Sequence, residues 1–395
     1  MDLSYSTEHR AFAAEVRAFL ASHWPFPVDG KPATDLAAQR GFRQLAIDRG
    51  YLYRAIPKAY GGSEQPPDAI KAQIIGEEFD RVRAPREVPG NGNWQLVPTL
   101  LHWASEDIKQ RFIPQTLSGE ILWAQGYSEP NAGSDLASLK TRAELRDGQW
   151  LINGQKIWSS VAQHCHYMFL LARTEADTGI KQQGISYLLL DLKQPGVTIR
   201  PLKQITGSSE FCEVFFDNAK TPAELIVGER GRGWEVSNTT LAHERTSMGG
   251  AASSRKQFAK LVALARSQQV DGRPAIEQPL IRDRLTVLQG YLEAHIYSSY
   301  RQQSMAYHSQ NPGPVTTMNK LVNTNLGHDI ARLARDLMDD SLLLAPPQEQ
   351  GYQAGPEKWN NQFLGSLGVA IAGGTSNIQR NIIAERGLKV VKASR

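Results

Sequence analysis

The sequence is poor in the features that mark several common protein classes. Cysteine occurs only twice in 395 residues, as Cys165 and Cys212, without CxxC spacing, which excludes a disulfide framework and a thiolate metal site and predicts a reducing compartment. No GxxxxGK loop, GxGxxG, HExxH or GxSxG occurs, so four familiar nucleotide, metal and hydrolase chemistries lose their sequence support. Charge of one sign is nowhere concentrated: 44 basic against 40 acidic residues give a net +4. Without a basic stripe nucleic acid is a poor partner, although a small polyanion would suit the mildly basic surface. The longest charge-free stretch near the C-terminus, Phe363 to Gln379, is too short for a membrane span and is broken by glycines. The start, Met1 to Glu8, is acidic and polar where an export signal needs a basic and then an apolar run, so none is expected.

What is present is an ordinary globular balance, 41% hydrophobic and 21% charged, in a chain long enough for two or three domains at roughly 150 residues each. Between Ser6 and His23 the apolar residues Phe12, Val16, Phe19 and Leu20 fall at helical spacing, with Ser6 as N-cap and Glu8 in the first turn. Helical pattern returns through 37–49, 67–82 and 97–112, interrupted by the loop Pro57 to Gly62. From about Ile121 the pattern changes to short β-rich runs at 167–171, 186–190 and 214–216, with Asp147-Gly148 and Asn153-Gly154 read as tight hairpin turns. From Trp234 helical period resumes in four stretches, 234–268, 276–308, 314–344 and 357–393. The expectation is an α+β multidomain chain: an all-α domain over 1–120, an antiparallel β sandwich or barrel over 121–233, and a four-helix bundle over 234–395. No repeat or low-complexity tract is evident.

The triplet His164-Cys165-His166 invites a metal reading but has no third ligand nearby, and two polar strand positions is the simpler reading. More informative is Gly126-Tyr127-Ser128-Glu129-Pro130-Asn131-Ala132-Gly133-Ser134-Asp135 at the α-to-β junction, where small and hydroxyl residues can bring backbone N–H groups close to a flat polar ligand; a plain polar connection is the alternative. Together with Asn153 to Ser160, Val227 to Trp234, Pro57 to Gly62 and the run Gly373 to Arg386, that segment closely resembles the signatures of the acyl-CoA dehydrogenase family. The resemblance spans nearly the whole chain, and the family's α, β, α order matches the one read from periodicity.

The resemblance implies FAD-dependent α,β-dehydrogenation of an acyl-CoA thioester: a carboxylate takes the α-proton, the β-hydrogen leaves as hydride to the flavin, and electrons pass on to an electron-transfer flavoprotein. It implies flavin contacts from Gln125, Tyr127, Ser128, Gly133, Ser134, Trp158, Ser159, Ser160, Arg273, Thr375, Asn377 and Gln379. Ser128 would bond the pyrimidine side, Trp158 cover the ring, Ser160 lie near its reactive nitrogen and Ser134 lie beside the pantetheine arm. The thioester carbonyl would receive the N–H of Gly373, with Gly374 beside it, stabilising the developing enolate. It further implies a cytoplasmic, bacterial enzyme that is at least dimeric.

Three departures shape the reading. Many relatives carry glutamate immediately before the Gly-Thr of the last motif, where this chain has Gly373. A minority, of isovaleryl and long-chain type, place the base earlier as a glutamate followed by arginine, and Leu241-Ala242-His243-Glu244-Arg245 occupies that place. Glu244 is therefore the candidate base, its pKa raised by substrate burial, and Arg245 its charged neighbour. The Arg-x-x-Phe-Gly motif that reaches a neighbouring subunit's FAD has only weak counterparts in Arg255-Lys256-Gln257-Phe258 and Arg273, and the usual Gln-x-x-Gly-Gly is replaced around Leu337-Met338-Asp339-Asp340-Ser341. Such erosion resembles members assembled from two paralogous chains. The small residues of Ser247 to Ser254 suggest room for a bulky acyl group, branched, cyclic or steroid-derived, with close helix packing the equal alternative. An oxidase of the same fold and a catalytically silent partner subunit are the other readings.

Overall fold

The computed structural model describes residues 5–24, 35–175, 179–307, 310, 313–338 and 356–390. The chain divides into two compact units, Met1–Pro201 with Phe211–Thr240, and Leu202–Glu210 with Leu241–Arg395.

The first unit opens with helices α1 (Thr7–His23), α2 (Leu36–Asp48), α3 (Ala69–Arg81), α4 (Val97–Trp103) and α5 (Glu106–Ser118). Ser6 caps α1 as its spacing predicts, its Oγ accepting the His9 N–H at 3.2 Å. The apolar stripe of α1 buries Val16, Phe19 and Leu20 against Phe42, Tyr51 and Phe79, each such side chain contributing about 1.5–3 kcal/mol. The helix expected over 97–112 is two helices, because Ser105 caps a new start by accepting the Ile108 N–H at 3.4 Å.

The strands are β1 (Trp123–Gly126), β2 (Arg142–Arg146), β3 (Gln149–Ser160), β4 (Tyr167–Arg173), β5 (Ile185–Asp191), β6 (Val197–Leu202), β7 (Phe211–Pro222) and β8 (Ile226–Val227). They form one sheet in the order β6-β7-β3-β2-β4-β5-β8, with β1 beside β4. The sheet curls over its own core, so that Met168, Leu170, Leu188 and Leu190 of β4 and β5 share a cluster with Trp150, Ile152, Val214 and Phe216 of β3 and β7. Two pairings depart from the expected antiparallel order: β1 and β2 each run parallel to β4.

Asp147-Gly148 is a hairpin turn, joining β2 to β3 with both residues at positive φ. Asn153-Gly154 is not. It lies inside the long strand β3, where the register against β7 shifts between Ile152 and Gly154. The same glycine signal that predicts a turn here makes a bulge, because Gly154 takes φ 147° without ending the pairing. His164 sits in a short helical turn and His166 precedes β4, its Nδ1 accepting the Leu122 N–H at 3.1 Å; neither is a strand residue, contrary to expectation.

Helix α6 (Gly233–Met248) begins in the first unit, where Thr239 and Thr240 bond Trp103 and Thr99, and ends in the second. The second unit continues with α7 (Ala252–Ser267), the small hairpin β9 (Gln269–Val270) and β10 (Arg273–Pro274), and then α8 (Pro279–Tyr307), α9 (Pro314–Met338), α10 (Pro356–Val369) and α11 (Ser376–Ile382). Helices α7, α8, α9 and α10 bury Phe258, Leu261, Leu288, Leu292, Ile330, Leu333 and Trp359 in one core. Two of the four expected helical stretches are broken. The first breaks at Gly249 to Ala251, and the last at Ala370 to Thr375, where two glycines at positive φ and a Thr375 cap start a new helix. The end of the 314–344 stretch, with Asp339, Asp340 and Ser341, lies outside the described residues.

Candidate functional site

In the first unit the candidate loop is fastened to β3 by a buried ion pair. Lys156 is fully buried, and its Nζ donates to the Tyr127 carbonyl at 3.0 Å and to Glu129 Oε1 at 2.9 Å. Glu129 also accepts the backbone N–H groups of Lys140, at 2.6 Å, and Thr141, at 2.9 Å. Burial alone would raise the Glu129 carboxyl, but the Lys156 ammonium and the bonds from Thr141 and Lys140 outweigh it and hold it below its ordinary value. Burial pushes Lys156 down to about 8, against the pull of Glu129.

Just beyond Lys156 the chain bulges again. The register of β3 against β7 shifts between Lys156 and Ser159, and Trp158 takes φ 63°, a conformation that costs a bulky residue about 1–3 kcal/mol and collects at functional sites. The bulge turns the indole outward: Trp158 is 57% exposed, with Phe211 edge-on at 6.0 Å. Ser159 points the other way, and its buried Oγ has no hydrogen-bond partner among the described residues, nor has Gln125 Nε2 on the neighbouring β1. Ser128 accepts the Ile157 N–H at 2.9 Å, so the loop and the bulge are joined. Thus Gln125, Tyr127, Ser128, Trp158, Ser159 and Ser160 come together, while Gly133 and Ser134 lie exposed further along the loop.

In the second unit Glu244 is buried near the end of α6, and Arg245 is half-buried with its Nε unpartnered among the described residues. Burial lowers the Arg245 guanidinium, Glu244 opposes this and Arg386 adds to it. The Gly373-Gly374 turn is tied from within. Gln379 Nε2 donates to the Gly373 carbonyl at 2.9 Å and the Gly374 carbonyl at 3.0 Å, and Lys320 Nζ donates to the Gly374 carbonyl at 2.8 Å and the Ala370 carbonyl at 3.3 Å. Because trans peptide planes carry C=O and N–H on opposite edges, fastening these carbonyls turns the N–H groups of Gly374 and Thr375 away from Gln379. Gly374 takes φ 96°, and a Cβ there would meet Gln379 Nε2 at 2.7 Å.

Other expected residues lie apart from these clusters. Arg273 is exposed in the β9–β10 hairpin, Arg255 is exposed on α7, and Asn377 is exposed beside Arg380. Gly249 approaches α9 closely, since a Cβ would meet Asn319 Cβ and Lys320 N at 3.3 Å; at this position the small residue serves helix packing. The side chains of Ser247 and Met248 lie outside the described residues.

Sequence reasoning missed both buried lysines. Each carried a signal. Lys320 falls in register with the buried Thr317, Thr324 and Ala331 of α9, and Lys156 with the inward positions of β3; a lysine on an inward face requires a partner.

Three family models match the chain: acyl-CoA dehydrogenase N-terminal domain at residues 6–120, middle domain at 124–219 and C-terminal domain at 231–388. The chain is 40% identical over 387 residues to acyl-CoA dehydrogenase IpdE1 of Mycobacterium tuberculosis, covering 95% of this chain and 96% of that one. Among solved structures it resembles the ChsE4-ChsE5 complex from Mycobacterium tuberculosis, with a TM-score of 0.80 at 24% identity, and the Tcur3481-Tcur3483 steroid ACAD, with a TM-score of 0.80 at 25% identity; both likenesses cover all of both chains.

Proposed function

The chain belongs to the acyl-CoA dehydrogenase family, and we propose that it oxidises a bulky, steroid-derived acyl-CoA to the 2-enoyl-CoA with Glu244 as the base. It is a flavoprotein oxidoreductase. The observation that carries the finer reading is the second-unit cluster: Glu244 is the buried carboxylate whose charge acts on Arg245 and on Lys320, and Lys320 in turn holds the turn that carries Gly373 and Gly374. Position 373, a glycine, has no group to accept a proton.

The first-unit residues fit a flavin. A flat ring with polar edges suits the outward indole of Trp158 and the unsatisfied polar atoms of Ser159 and Gln125. Tyr127, Ser128 and Ser160 would complete the cradle, and Lys156 with Glu129 would keep it in shape. Bound FAD supplies the hydride acceptor. The protein's own part is to raise the acidity of the α-proton and to take it. The Gly373 N–H, in a turn whose carbonyls are held by Gln379 and Lys320, would donate to the thioester carbonyl and stabilise the enolate as it forms. Glu244, excluded from water, would accept the proton from the α-carbon. Arg245, with no partner at Nε among the described residues, would orient the acyl chain or the carboxylate.

The steroid-type acyl group and a heteromeric assembly rest on the likeness to the two-chain steroid ACAD. The eroded Arg-x-x-Phe-Gly motif favours the same assembly, since exposed Arg273 and Arg255 sit in no equivalent of it. An electron-transfer flavoprotein is the proposed acceptor.

The test is to titrate the FAD-loaded protein anaerobically with octanoyl-CoA, isovaleryl-CoA and a CoA thioester of a steroid side-chain acid, following the flavin absorbance. Bleaching by the steroid thioester, with Glu244→Gln retaining FAD but losing turnover by about 100- to 10,000-fold, is the expected result. Bleaching by the short linear thioester alone would end the bulky reading, and near-normal turnover in Glu244→Gln would end the base assignment.

A further inference from the structure

We propose that Lys320 is a positioning residue of this site, whose ammonium pins the Gly373-Gly374 turn by its carbonyls and electrostatically favours the proton-accepting form of Glu244. The inference deepens the reading of Glu244 as base and rests on it.

Lys320 is fully buried on α9, yet its Nζ spends its hydrogen bonds on two main-chain carbonyls, Gly374 at 2.8 Å and Ala370 at 3.3 Å. Ala370 directly follows α10, so one bond answers a helix C-terminus, which any cation would do. The other reaches the glycine turn itself, where Gln379 already donates to the same Gly374 carbonyl at 3.0 Å. Two donors from different helices thus fix a turn that has no side chain of its own with which to hold its shape. A buried ammonium is costly, and burial does draw Lys320 below its ordinary range; Glu244 opposes that fall and Arg245 adds to it. The attraction is mutual: what Glu244 does to keep the lysine charged, the lysine does to keep Glu244 ionised.

Charged groups coupled to this site come from more than one element. Arg245 is the neighbour of Glu244 on α6, α9 comes against the end of α6 at Lys320, whose main-chain N would lie 3.3 Å from a Cβ on Gly249, and Arg386, beyond α11, acts on Arg245. His295 of α8, also buried, is lowered by burial. Arg245 and Lys320 are cations coupled to the carboxylate, and Lys320 also bonds the turn.

The test uses the full-length FAD-loaded protein carrying 13Cδ-labelled glutamate, with the Glu244 resonance identified as the one absent from Glu244→Gln. In Lys320→Gln, which keeps amide donors for the carbonyls and discards the charge, the Glu244 titration midpoint should rise by about one unit. In Lys320→Arg the midpoint should stay at the wild-type value. A Lys320→Gln midpoint equal to the wild type, whatever happens to thermal stability, overturns the inference, because a purely structural lysine would change the melting temperature and leave the midpoint in place. Should Lys320→Gln not fold, the reciprocal measurement decides: with 13Cε-labelled lysine the Lys320 midpoint should fall in Glu244→Gln, and an unmoved Lys320 midpoint overturns the inference. The titration needs no substrate. It therefore stands apart from the Glu244→Gln turnover assay, whose failure would remove the base assignment without touching the measured coupling.

Discussion

Replacing Lys156 by Met tests whether the buried ion pair shapes the flavin cradle. Methionine nearly matches the length of the lysine stem, so the void is small and the loss is electrostatic. Glu129 would keep the N–H groups of Lys140 and Thr141 at 2.6 and 2.9 Å but lose the ammonium at 2.9 Å, and the Tyr127 carbonyl would lose its donor at 3.0 Å. Removing one partner of a buried pair costs about 3–5 kcal/mol, and an orphaned carbonyl adds about 1–3 kcal/mol where water cannot reach it. The two surviving N–H bonds to the carboxylate soften the loss, so about 4 kcal/mol is the expected cost. The assay is urea unfolding followed by tryptophan fluorescence with the slope checked for constancy, alongside FAD content from the absorbance ratio of the purified protein. Because Tyr127 and Ser128 hang from this pair, FAD retention should fall with stability. Adding Glu129→Gln should restore part of the loss, since the uncompensated charge is then gone. A Lys156→Met protein within about 1 kcal/mol of the wild type and fully loaded with FAD would refute the reasoning, since a buried broken pair cannot be that cheap.

The remaining predictions concern acid and the glycine turn. Glu129 binds a proton less readily folded than unfolded, so its stabilisation is complete above the unfolded carboxyl value of 4.5 and is lost as pH falls through the depressed folded value. Lys156→Met removes the main charge that depresses it, so the variant should acid-unfold at higher pH than the wild type; equal acid midpoints by fluorescence would contradict this. Gly374→Ala forces a side chain into φ 96° and against Gln379 Nε2 at 2.7 Å, costing about 1–3 kcal/mol. Turnover per bound FAD with the best thioester of the panel should drop while FAD content holds, and an unchanged rate would show that the turn's shape does not matter.

Much of the architecture was legible in the chain. Helical spacing marked α1 to its cap, and the change from period 3.6 to alternation and back marked the sheet between helices, because each element must turn one apolar face inward. The loop at Gly126 to Asp135 and the Gly373 turn stood out by their small and hydroxyl residues. Local signals failed where one residue type serves two geometries. Gly154 reads as a turn and is a bulge, and of the two readings left open for the small residues after Glu244, helix packing is the one Gly249 serves, where the end of α6 meets α9.

The sequence by itself determined the element types, their order, the family and the candidate carboxylate, since these depend on periodicity and on short contiguous motifs. Only the tertiary structure decided which charges face one another. Lys156 and Glu129 are 27 residues apart, and Lys320 and Gly374 are 54 apart; no local pattern couples them. A buried ammonium is stable only where folding brings acceptors to it from distant segments, and that pairing is a property of the packed chain.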